Sequence, residues 1–161
     1  DHLGRGQYVE AVLLCERVLA AVPDAADALH ISALATFRQG DPAGGIDRLV
    51  RALELQPENP DLLANLALMQ LETGELEAAA DCFAAALDLA PGDAVTRLRL
   101  GLTLHKLGRA DESEKTYREA IRRAPDFAPA HYNLAVLLEA RGAAEEALTE
   151  FETTQIGRAH V

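Results

Sequence analysis

The chain has 161 residues, 49% hydrophobic and 25% charged, with two serines only (Ser32 and Ser113), a composition of ordered helices rich in Ala and Leu that excludes a disordered segment. Its net charge of −11 argues against binding to duplex nucleic acid, and no apolar run approaches the ~18 residues that a membrane span needs. Cys15 and Cys82 stand 67 residues apart with no CxxC, which suits small core side chains in a reducing compartment.

Gly6, Gly40, Gly74, Gly108 and Gly142 recur every 34 residues, and Pro23, Pro57, Pro91 and Pro125 keep the same step. Such a period is the length of one stacking helix-turn-helix unit, so the sequence predicts an all-α solenoid. With the proline at repeat position 32, residues 1–25 form the C-terminal part of a truncated unit. Full units follow at 26–59, 60–93 and 94–127, with a truncated one at 128–155. Residues 1–25 carry Val9, Val12, Leu13 and Leu19 without the neighbour that should cover part of them, which predicts fraying or self-association. In each unit the glycine is expected to end the first helix in a left-handed conformation, and the proline to end the second. Asp24, Asn59, Asp93 and Asp126 are placed to cap the next helix, and Arg122 with Arg123 suit the negative end of the helix before Pro125.

Aligned columns show small residues where helices should approach: Ala33, Ala67, Gly101 and Ala135 at position 8, and Ala11, Gly45, Ala79, Ser113 and Ala147 at position 20. Larger groups (Cys15, Leu49, Phe83, Tyr117, Phe151) alternate with them at position 24, the pattern of large-against-small packing. Gly44 and Gly45 lie together in one second helix and predict a weak point. The pattern lapses near Thr154. Residues Ile156-Gly157-Arg158-Ala159-His160-Val161 resemble a translated sequencing adapter, so 156–161 is expected to be a non-native tail. Asp1 is not a start methionine, so an earlier segment is expected upstream; the segment itself is expected in the cytoplasm.

No phosphate-binding glycine loop and no pair of histidines four apart with a glutamate is present. His30, His105 and His131 fall in three different repeats, and Ser32 and Ser113 fall in packing columns, so no catalytic residue, metal site or cofactor is expected. Unit 60–93 holds seven acids and no base, whereas 94–127 holds five acids and eight bases, a basic island that serves as a solvated outer face or as a steering patch for an acidic peptide.

Along residues 6–154 these motifs resemble those of bacterial tetratricopeptide repeat (TPR) proteins, although position 4, usually a bulky aromatic, is Leu29, Leu63, Arg97 and His131 here. The resemblance implies a right-handed α-solenoid acting as a protein-protein interaction scaffold. Its concave groove would be lined from the first helices by Ile31, Leu34 and Phe37, then Asn65 and Leu68, then Arg99, Leu102, His105 and Lys106, then Tyr132, Asn133 and Val136. Asn65, Arg99 and Asn133 share position 6, where an amide ladder in related superhelices holds a peptide backbone. The clamp that grips chaperone tail carboxylates is matched only at Asn65 and Arg99; His30, Leu34 and Val95 depart from it. The implied partner is a peptide or partner helix. An alternative is the substrate-guiding arm of a larger enzyme, because Ala28-Leu29-His30 and Asn133-Leu134-Ala135 resemble arms that precede O-GlcNAc-transferase-like or sulfotransferase domains.

Overall fold

The computed structural model describes the backbone of residues 2–159 and the side chains of residues 6–154. Among the described residues there are nine α-helices and no strand. They are α1 (His2–Ala21), α2 (Ala26–Arg38), α3 (Pro42–Leu55), α4 (Pro60–Thr73), α5 (Leu76–Leu89), α6 (Ala94–Lys106), α7 (Ala110–Arg123), α8 (Ala128–Ala140) and α9 (Ala144–Ala159). They fall into two compact units, residues 1–89 and 90–161. The side chains of the expected tail 156–161 lie outside the described residues, and His160 and Val161 lie outside them entirely.

The turn chemistry follows from the repeat. Gly40, Gly74, Gly108 and Gly142 have φ of 95°, 87°, 75° and 80°, a region closed to most side chains. Each allows the next amide to reach back over the helix end: Asp41 N–H donates to Thr36 O at 3.3 Å, Glu75 to Gln70 at 2.8 Å, Arg109 to Leu104 at 2.9 Å and Ala143 to Leu138 at 2.9 Å. With the bond from each glycine amide to the carbonyl three residues back, these are Schellman turns that satisfy the last carbonyls of α2, α4, α6 and α8. Gly6 departs from the expectation. It lies inside α1 without a positive φ, because residues 2–5 simply continue that helix and no turn is made there. The second helices stop two residues before Pro23, Pro57, Pro91 and Pro125, as a ring without an N–H requires.

In unit 1, Leu29, Ala33, Leu49, Ala52, Leu62, Leu66 and Met69 form a buried cluster, joined at its margin by Leu19 from α1 and Cys82 from α5. In unit 2, Tyr117, Leu134, Leu137, Leu138 and Ala147 form another. The small columns are contact points within both. A Cβ on Gly45 would stand 2.8 Å from Phe37 Cβ and 3.0 Å from the Ala33 carbonyl oxygen, so α3 crosses α2 at glycine contact distance. The expected weak point at Gly44-Gly45 is thus a close helix crossing, and the Gly44 amide is also spent, donating to Asp41 Oδ1 at 2.9 Å as a cap of α3. On Gly101 a Cβ would meet the Tyr117 ring, with Cδ1 at 2.7 Å, and Ser113 Oγ donates to the Gly101 carbonyl at 2.8 Å. Burial pushes the Tyr117 phenol up from its ordinary value and does the same to the Cys15 and Cys82 thiols.

The expected caps divide evenly. Asn59 Oδ1 accepts from the amides of Asp61 and Leu62, and Asp93 Oδ1 from those of Val95 and Thr96. Asp24 and Asp126 stand one residue too early, so Ala25 and Phe127 occupy the cap position and offer no side-chain acceptor. Asp24 pairs with Arg51 at 3.2 Å instead.

Candidate functional site

The first helices of the repeats, α2 and α4 in unit 1 and α6 and α8 in unit 2, carry all twelve residues expected to line a groove. Their apolar members are unequally covered. Ile31 and Tyr132 are each 53% exposed, and Leu34 and Val136 are exposed as well. Phe37 and Leu102 are half-buried and pack on the cores of their units, and Leu68 is also half-buried. The Tyr132 ring meets Phe151 of α9 edge-on, with centroids 5.8 Å apart. Val95, on the first turn of α6, is exposed too.

The polar members differ more sharply. In unit 1 Asn65 Nδ2 donates to His30 Nε2 at 2.9 Å, linking α4 to α2 at one end of the pair. At the other end Arg38 and Glu72 form a forked contact at 3.0 and 3.1 Å, with Arg38 also over the Phe37 ring. In unit 2 the residues at the corresponding positions are Leu98 and Asn133, then Lys106 and Ala140. Leu98 offers no polar atom, and Asn133 Nδ2 turns to its own helix, donating to the Pro129 carbonyl at 2.7 Å. Ala140 offers Lys106 no carboxylate. Arg99 lies close enough to Asp93 to help lower its carboxyl: burial pushes that carboxyl up, but the bonds from Thr96 and Val95, with Arg99 nearby, outweigh it.

Most of the other cations in the basic island are neutralised on the second helices. Arg109 pairs with Glu112 at 2.6 Å and Arg118 with Glu114 and Glu146 at 3.1 and 3.0 Å, while Arg141 of the next repeat pairs with Asp111 and Glu114 at 2.6 and 2.7 Å. Arg122 and Arg123 both grip Glu119 and hold its carboxyl at about 2. This network ties α7 to the end of α8 and the start of α9, and it lines an open hollow of about 570 Å³.

Position 4 holds a pair of contacts that the sequence reading missed. Arg97 donates to the carbonyl of Pro91, and His131 Nε2 donates to that of Pro125 at 2.7 Å. In both cases a polar residue six positions after the proline ties the next first helix back to the preceding turn. That spacing is the signal that could have revealed it. His131 is buried, and its Nδ1 stands 2.6 Å from Glu150 Oε2 of α9. Leu29 and Leu63 occupy this position in unit 1 as buried or half-buried apolar residues. Among the described residues no group of three or more His, Cys, Asp or Glu is arranged to hold a metal, and no helix is long and apolar enough to cross a membrane.

Helix pairs closed by left-handed glycines and packed through small-residue columns define an all-α helical repeat protein of the solenoid class. The sequence profile of the tetratricopeptide repeat family matches residues 1–46, 32–94 and 98–158, and the chain belongs to that family. Solved structures share the fold. A crystal structure of MamA superposes with a TM-score of 0.89 at 22% identity, covering 96% of this chain and 91% of that one. MamA from Desulfovibrio magneticus RS-1 gives 0.88 at 18% identity, covering 98% and 89%. YrrB, described as a TPR protein with an unusual peptide-binding site, gives 0.80 at 21% identity, covering 96% and 79%. No curated protein matches the chain by sequence.

Proposed function

We propose that this chain is a non-catalytic interaction module that binds a peptide or partner helix on the faces of its first helices. Exposed apolar side chains on the first helices, Ile31, Leu34, Tyr132 and Val136 at expected lining positions and Val95 on the first turn of α6, carry the reading. They contribute nothing to either core where they face water, and they stand beside polar groups suited to backbone recognition. The likeness in fold to YrrB, whose description names a peptide-binding site, supports the same reading. The repeat units that would present these faces are 26–59, 60–93, 94–127 and 128–155.

Asn65 and Asn133 enter this reading as amides with capacity to spare, since each gives one Nδ2–H to His30 or Pro129 and keeps a second N–H and its Oδ1 for a peptide backbone. Each bond so gained adds roughly 0.5–1.5 kcal/mol net, enough to orient a peptide without fixing its sequence. Selection from a random peptide library on the intact chain should yield binders. Leu34→Ser with Val136→Ser should weaken a selected binder by about tenfold, as should Asn65→Ala with Asn133→Ala, with helix content unchanged by circular dichroism. A binder indifferent to the first pair would move the site away from these faces. One indifferent only to the second would remove the amides from it.

A further inference from the structure

The two units offer different chemistry on these faces. In unit 1 two pairs of polar residues link α2 to α4, His30 with Asn65 and Arg38 with Glu72. In unit 2 the position corresponding to Glu72 is Ala140, and Asn133 bonds to the Pro129 carbonyl of its own helix. Among the described residues neither Arg99 nor Lys106 forms an ion pair, while five of the other arginines of unit 2 are matched to carboxylates. Of the four residues of α6 expected to line the groove, Arg99, Leu102, His105 and Lys106, none is acidic. The carboxylates nearest by repeat position are Asp93, committed to capping α6, and Glu139, next to Ala140 at the end of α8 that corresponds to Lys106.

Charge over the whole chain points the same way. Unit 1 carries 15 acidic and 5 basic side chains, net −10, and unit 2 carries 11 and 10, net −1. An acidic ligand is repelled from the first and tolerated by the second.

From this contrast we propose that the α6/α8 face of unit 2 anchors an acidic amphipathic helix of a partner protein. The inference rests on the reading that first-helix faces bind partners, and it adds which unit and which chemistry. Arg99, Leu102 and Lys106 stand at i, i+3 and i+7 of α6, one face, with the two cations about 10 Å apart along the axis. A partner helix meets them with carboxylates at its own i and i+7 and an apolar residue between. Its apolar flank then covers Tyr132 and Val136 of α8, which touches α6. This differs from a grip on a terminal carboxylate, because the cations are two turns apart and each takes a separate side chain.

The test uses the intact chain and a synthetic helical peptide with Glu at i and i+7 and Leu at i+3 and i+4, followed by fluorescence anisotropy. The expected result is that the Glu peptide binds about tenfold tighter than its counterpart with both Glu replaced by Gln, and that added salt erases the difference. Arg99→Gln with Lys106→Gln should remove the preference. Lys106→Gln alone, at an exposed site, should lower it about threefold, and Arg38→Gln in unit 1 should leave it unchanged. Equal binding of the two peptides, no binding of the Glu peptide, or a preference that survives the double substitution overturns the inference. Each of these leaves the broader reading to be decided separately by the library selection and the Leu34/Val136 variant.

Discussion

Asp93 and Asn59 each precede a first helical turn directly, and their side chains accept two amides that otherwise have no partner. Asp126 carries the same carboxylate one residue earlier in the repeat and caps nothing. Asp93→Ala should therefore cost about 1 kcal/mol in urea unfolding, and Asp126→Ala less than about 0.5 kcal/mol. Equal losses would show that the capping bonds carry none of the difference. Residue type alone suggested four caps, and a shift of one position decided that two of them form. Position 4 carries a similar lesson. Arg97 and His131 looked like departures from an aromatic consensus, yet each binds the carbonyl of the proline six residues before it. A polar side chain at a core position is tolerated when it finds such a partner.

Among the elements, the crossing of α2 and α3 is the tightest test of the packing. Alanine is worth about 1 kcal/mol more than glycine inside a helix, so propensity alone would make Gly45→Ala stabilising. The added methyl would meet Phe37 Cβ at 2.8 Å and the Ala33 carbonyl oxygen at 3.0 Å, groups fixed to the backbone of α2. Overpacking of that kind typically costs about 1–3 kcal/mol, so the net effect should be destabilising. A gain in melting temperature would mean that α2 and α3 separate more readily than their contacts indicate. Helix positions were legible because glycine and proline act locally: all but one of the recurrent glycines take the left-handed turn. Gly6 is the exception, since a glycine ends a helix only where the chain turns, and α1 runs through it. The small columns were legible as packing sites, but that Gly45 is required where alanine would not fit depends on the distance between two helices.

Across the whole molecule, apolar exposure and charge are both uneven. α1 leaves Val9, Leu13, Leu14 and Val18 open to water, Leu13 at 61%, as is Val22 just after it, while Leu19 joins the core of unit 1. Contiguous apolar surface of this sort favours association. Sedimentation velocity should show the mean mass rising with concentration, and Leu13→Glu with Leu14→Glu should abolish the rise while keeping helix content. A wild-type chain that stays monomeric throughout would exclude α1 as a contact surface. The sequence by itself determined the all-α repeat, its period and its turns, because a 34-residue pattern repeats the same local chemistry in every unit. Only the tertiary structure decided which polar residues of the first helices are already engaged, Asn65 with His30 and Arg38 with Glu72. A polar side chain is spent or spare according to the residue that faces it from a helix one repeat away, and repeat position alone does not reveal whether that residue answers it.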